Sequence, residues 1–221
     1  MEDWMKQMEK LTVHIDMLLK RYPVLTTVRS EIADSYKILQ ECFENGGKLL
    51  VAGNGGSAAD AEHIVGELMK GFNLPRKMDT AFRQKLTEVS PELGAVLAEN
   101  LQGALPSIAL DGHLALTTAY MNDCEPLLCF AQQVNGFGNT GDVFLGISTS
   151  GNSKNILYAA AVAKAKGMKV IGLTGKRSSK LSQLADVCIQ APETETYKIQ
   201  ELHLPIYHCL CLMLETYFFG E

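Results

Sequence analysis

Five short apolar runs, at residues 48–52 (KLLVA), 107–110 (SIAL), 142–147 (DVFLGI), 169–173 (KVIGL) and 187–190 (VCIQ), constrain this chain more than anything else in it. None alternates polar with apolar positions, as a strand with one wet face would. Strands of this kind are buried on both faces, which requires helices above and below a largely parallel sheet. Helical stretches separate most of the runs. The expected fold is therefore α/β: a three-layer, doubly wound sandwich around a mainly parallel, five-stranded sheet. At 221 residues, 47% of them hydrophobic, the chain suits one domain spanning 1–221.

Two N-terminal helices are expected within residues 1–46. Trp4, Met5, Met8, Leu11, Val13, Ile15, Leu18 and Leu19 fall mostly at helical spacing before Pro23, and the pattern resumes over 24–43 until Gly46 and Gly47 close it. A last helix is expected over 196–218. Residues 71–106 fit the strand–helix alternation poorly: helical patterns at 78–89 and 93–101 flank Pro91, so this is read as a helical insertion. It caps the site, joins an oligomer contact or decorates the surface.

A formal charge of −5 and a pI of 5.6 leave no electrostatic footprint for nucleic acid, and basic residues cluster only in short groups such as Lys176-Arg177. The six cysteines, at 42, 124, 129, 188, 209 and 211, form no C-x-x-C pair and read as reduced thiols. The N-terminus is acidic and amphipathic, and no apolar run approaches the ~20 residues of a membrane span. A cytoplasmic protein without nucleic-acid or membrane partners is expected.

Two loops carry the chemistry. Gly53-Asn54-Gly55-Gly56-Ser57 follows the first strand and leads into a helix, where glycines allow close backbone approach and free N–H groups attract an anion. It is neither G-x-G-x-x-G nor G-x-x-x-x-G-K-[ST], which disfavours dinucleotides and nucleoside triphosphates. Ser148-Thr149-Ser150-Gly151-Asn152-Ser153 likewise joins a strand to a helix, and its four hydroxyls form a neutral cradle suited to a phosphate monoester. The plainer alternative is that these hydroxyls only cap the helix. Two such loops at strand ends favour the ligand, because open parallel sheets bind at the carboxyl ends of their strands.

These loops, with the run from Gly167 to Lys176, resemble the sugar isomerase (SIS) domain, and within it the sedoheptulose 7-phosphate (phosphoheptose) isomerases. The likeness extends to Asp60-Ala61-Glu62-His63-Ile64-Val65-Gly66-Glu67 and to Ile199-Gln200-Glu201-Leu202-His203-Leu204-Pro205-Ile206-Tyr207-His208. His63 and Glu67, four apart on a helix, share one face; such a pair binds a divalent metal, places a carboxylate beside a substrate carbon, or is a plain surface ion pair. The resemblance implies that His63, Glu67, Gln200 and His208 line an active site that holds one zinc ion per subunit. It also implies that Glu67 is the base and His208 the acid or proton shuttle of an aldose–ketose isomerisation. Asn54, Gly55, Ser57, Ser148, Thr149, Ser150, Ser153, Gln200 and Asp123 would bind the sugar phosphate, and the assembly would be a homotetramer. An ideal helix nevertheless sets Gln200 and His208 ~12 Å apart along its axis. The chain departs from the resemblance at Tyr197, where an acidic residue is common, and at Met69-Lys70-Gly71, where an arginine is. The alternatives are a non-catalytic SIS protein that binds or regulates, and an isomerase of a different sugar phosphate.

Overall fold

The computed structural model describes residues 2–220, with side chains from residue 12 onward. The apolar spacing at Trp4, Met5, Met8 and Leu11 therefore concerns side chains outside the described residues. The five apolar runs become one sheet of β1 (Leu49–Ala52), β2 (Ser107–Ala109), β3 (Val143–Ile147), β4 (Lys169–Gly175) and β5 (Val187–Ala191). Their order is β2-β1-β3-β4-β5, and every neighbouring pair is parallel. The expectation of a mainly parallel sheet sharpens to an entirely parallel one.

Alternate residues of each strand feed two cores. Leu49 and Val51, with Val143, Leu145 and Ile147, join a core completed by α1 (Glu2–Arg21), α2 (Arg29–Glu44), α3 (Gly56–Met69) and α10 (Thr196–Phe219). Leu50, Ala52, Phe144 and Val170 face the opposite way, onto α7 (Cys129–Phe137), α8 (Lys154–Ala165) and α9 (Lys180–Leu184). Those are the three layers. From β1 the chain winds outward to β2, then crosses back to β3 on the other side of β1. The loops leaving β1 and β3 therefore part at the sheet's topological switch point, where open α/β sheets leave a crevice for ligands.

The second N-terminal helix is shorter than its apolar pattern. Pro23 starts a 3-10 turn over Pro23–Val28, and α2 begins only at Arg29; proline suits the first position of such a turn because its fixed φ is already helical and its missing N–H would be unpaired there. Gly46, at φ +72°, turns the chain out of α2. The insertion is helical as expected, with α4 (Thr80–Val89) and α5 (Pro91–Asn100) capped by the side chains of Asp79 and Ser90. The two pack on each other, crossing so closely at Gly94 that an added Cβ would lie 2.2 Å from the Leu86 carbonyl oxygen. A single antiparallel bridge between Lys77 and Gln102 closes the base of this hairpin. One further helix, α6 (Leu114–Asp123), precedes α7. Among the described residues no helix is long and apolar enough to cross a membrane.

Candidate active site

The first loop turns at Gly55, whose φ of +58° glycine adopts without steric cost, and α3 starts at Gly56. Ser57 is buried beneath it. Asn54 reaches across the crevice to Asn155 in the first turn of α8, and the two side-chain amides exchange hydrogen bonds of 3.1 and 2.8 Å. That reciprocal pair ties the two loops together. Gly56 lies under the Gln200 amide so closely that a Cβ there would meet Nε2 at 2.7 Å.

The second loop turns at Gly151, φ +63°. Ser153 stands at the N-cap of α8, yet its hydroxyl caps nothing and lies 3.0 Å from the hydroxyl of buried Ser148. The capping alternative therefore fails for this serine. The Ile156 N–H donates to Asn155 Oδ1 at 3.0 Å, while the first-turn N–H groups of Lys154 and Asn155 have no intrahelical acceptor and are not capped by Ser153. A phosphate here would meet hydroxyls, free N–H groups and the positive end of a helix dipole. Thr149, Ser150 and Asn152 also line a cavity of ≈ 310 Å³ whose other walls include Lys176 and Arg177.

A second cluster stands farther along α3. His63 Nε2 is 3.1 Å from Glu67 Oε1, and Lys70 Nζ is 3.4 Å from Glu67 Oε2. The His208 ring, projecting from α10, lies edge-on to His63 with centroids 5.0 Å apart, and the Phe72 ring packs on it, tilted, at 5.4 Å. Burial, and after it the neighbouring His63, hold His208 below the ordinary histidine value, while Glu67 pulls the other way. His208 is thus neutral at neutral pH. Its Nε2 is buried and has no hydrogen-bond partner.

The hydrogen-bond chain around His63 fixes its tautomer. Tyr207 donates its hydroxyl proton to Asp60 Oδ1 at 3.2 Å, so its oxygen accepts from His63 Nδ1–H at 3.0 Å. That leaves the Nε2 lone pair facing the Glu67 carboxylate. Two lone-pair donors in contact need a proton or a cation between them, and an imidazole whose other nitrogen already donates is the usual metal ligand. Burial raises the Asp60 carboxyl, with Tyr207 and His63 opposing the rise. Among the described residues no three His, Cys, Asp or Glu side chains already converge on one point. The donor chemistry of His63, Glu67 and His208 nevertheless suits zinc.

The structure thus brings together His63, Glu67 and His208, and separately joins Asn54, Gly55, Ser57 and Gln200 to the crevice that Ser148, Thr149, Ser150 and Ser153 share. Gln200 lies over Gly56, consistent with its helical separation from His208. Asp123 ends α6 as an exposed residue bonded to the Asn122 amide. Four residues of the site escaped the sequence reading: Asn155, Asp60, Tyr207 and Phe72. Asp60 and Tyr207 lie within the quoted motifs; Asp60, three residues before His63, shares its helix face, which was the available signal, whereas Tyr207, bonded to His63 from another helix, and Phe72 offered none.

A sequence model of the SIS domain matches residues 17–85 and 85–175. The phosphoheptose isomerase of Aneurinibacillus thermoaerophilus is 40% identical over 79% of this chain and 75% of its own length. Phosphoheptose isomerase 2 of Campylobacter jejuni is 37% identical over 93% of this chain and 88% of its own. Among solved structures, a phosphoheptose isomerase from Francisella tularensis superposes with a TM-score of 0.74 at 32% identity, covering 95% of this chain and 98% of that one. The crevice at the β1–β3 switch point and the Glu67 cluster beside it therefore sit in a chain that belongs to the SIS domain family, among the phosphoheptose isomerases.

Proposed function

We propose that this chain is an aldose–ketose isomerase that converts sedoheptulose 7-phosphate to D-glycero-D-manno-heptose 7-phosphate through an enediol. The observation that carries the reading is that one helix, α3, joins an anion-binding loop at its N-terminus to a carboxylate near its C-terminus that contacts His63, against whose ring His208 packs. Ten residues separate Ser57 from Glu67, ~15 Å of helical rise, and side chains lean back toward the N-terminus. A phosphate held at the loops and a reacting carbon held at Glu67 suit an extended sugar of several carbons.

The loops bind the phosphate and Gln200 orients the chain beside Gly56. Glu67 removes the proton from C1 of the ketose and exchanges it with solvent; neutral His208 moves a proton between the two oxygens of the enediol; protonated Glu67 then delivers a proton to C2, leaving the aldose. Atoms and charge balance without a redox partner. His63 is oriented by Tyr207 and Asp60 so that its Nε2 faces Glu67. Zinc, one ion per subunit, is part of the proposal: His63, with Glu67 and His208 beside it, would hold the ion, which would polarise the carbonyl, while Gln200 stands apart over Gly56. A homotetramer is proposed as well, with exposed apolar residues such as Val13 and Met17 on α1 and Leu114 on α6 as packing surface. Six free cysteines accord with a reducing cytoplasm.

Incubating the purified protein with sedoheptulose 7-phosphate, with and without zinc, and following aldose formation by NMR tests this reading. Turnover is expected under at least one condition. No turnover under either, beside measurable sugar-phosphate binding, would overturn it.

A further inference from the structure

The helical insertion leaves α3 just after Glu67, and its first six residues are tied to α10 and to the end of α3 by a dense set of hydrogen bonds. Glu215 of α10, 1% exposed, accepts from the backbone N–H groups of Phe72 (2.7 Å), Asn73 (2.8 Å) and Leu74 (3.1 Å), and from Arg76 Nε at 2.8 Å. Arg76, with no exposed side-chain surface, spends the rest of its guanidinium on the last turn of α3. Nη1 donates to the Leu68 carbonyl at 2.6 Å and Nη2 to the Glu67 carbonyl at 2.7 Å. The plane stacks on Phe219, 4.8 Å from the ring centroid. Four residues earlier on the same segment, Phe72 packs on His208.

A buried, charged network in which every acceptor is served is costly to assemble from water and is seldom the cheapest way to hold a loop. Its position explains it. The last carbonyls of a helix lack intrahelical donors, and a cation there is doubly favoured. One of those carbonyls belongs to Glu67 itself. We propose that Arg76 is a positioning residue for Glu67: locked by Glu215, its guanidinium fixes the last turn of α3, and so the place of the Glu67 carboxylate against His63 and His208. The proposal rests on the reading of Glu67 as the base. The stem of the insertion is then part of the active-site framework, whatever its exposed helical hairpin does.

Lysine in place of Arg76 keeps the charge, but a single ammonium lacks the planar fork that reaches Glu215, Leu68 and Glu67 together. Arg76→Lys and Glu215→Gln are to be compared with wild type by thermal unfolding and by steady-state kinetics on the sugar phosphate, well below the unfolding temperature. The expected result is a kcat lower by about 10- to 100-fold, as for an ångström-scale misplacement of a reacting group, with KM changed less than about threefold. If Arg76→Lys does not fold, Glu215→Gln and Phe219→Leu, which loosen the guanidinium from its other sides, give the same readout. A folded variant whose kcat stays within twofold of wild type would overturn the proposal, as would a loss shared equally by kcat and KM. Glu67→Gln separates the two layers of the argument. Wild-type turnover in that variant removes the base reading and this proposal with it, whereas an inactive Glu67→Gln beside a fully active Arg76→Lys removes this proposal alone.

Discussion

Replacing Gly151 by alanine tests how the second loop is held. Gly151 adopts φ +63°, a conformation that costs a residue with a Cβ roughly 1–2 kcal/mol. The new Cβ would also stand 2.0 Å from Ser179 Oγ and 2.5 Å from Ser179 Cβ, inside any van der Waals contact. Ser179 cannot rotate away freely. Its hydroxyl accepts from the Ser182 N–H at 3.2 Å while Ser182 Oγ accepts from the Ser179 N–H at 2.9 Å, a capping box that starts α9 and is worth about 1 kcal/mol. Strain and cap together give an expected loss of about 2–3 kcal/mol in urea unfolding. The loop shifts with it, so sugar-phosphate affinity should fall at least about tenfold, the equivalent of one or two lost hydrogen bonds. In a Ser179→Gly background the steric part disappears, and Gly151→Ala should then cost only the conformational ~1–2 kcal/mol. A loss below about 0.5 kcal/mol in the single variant, typical of a surface site, would refute the reasoning.

Two other outcomes follow from the same geometry. Gly56→Ala places a methyl 2.7 Å from the far end of the Gln200 side chain, which can swing aside; helix stability is kept or improved, so thermal unfolding should stay within a few degrees of wild type while KM rises about tenfold as the Gln200 amide is displaced. His203, fully buried beneath β4 with Nε2 bonded to the Thr174 carbonyl, is pushed by burial from 6.5 down to about 4. Its folded value lies below its unfolded one, so its contribution is complete above pH 6.5 and is lost as pH falls from there toward 4, by roughly 3 kcal/mol in all. Urea unfolding across that range should show the loss, and His203→Gln should flatten it.

The sheet was legible because strands buried on two faces leave unbroken apolar runs, and the strand ends could be read to within two residues. The start of α2 was not, since Val24, Leu25 and Val28 are as apolar in a 3-10 turn as in a helix. In the site, Gly55 and the serines of the second loop announced themselves by residue type. Asn155 did not: its partner is Asn54, more than a hundred residues away, and nothing in either neighbourhood marks the pairing. The role of Arg76 was equally hidden, because an arginine inside an insertion looks like a surface residue until Glu215, on the last helix, is seen to face it. The His63–Glu67 spacing showed a shared face, whereas the tautomer depends on Tyr207 from another helix.

Solvent isotope incorporation tests the central claim, proton transfer by Glu67 through an enediol, most directly. Sedoheptulose 7-phosphate is to be converted in D2O by the wild-type protein and the product examined by NMR at C2. Exchange of the proton held on Glu67 with solvent predicts deuterium at C2 of the aldose, and Glu67→Gln should form neither product nor exchanged substrate while still binding the sugar phosphate. Product free of deuterium at C2, or exchange that survives in Glu67→Gln, would contradict the account.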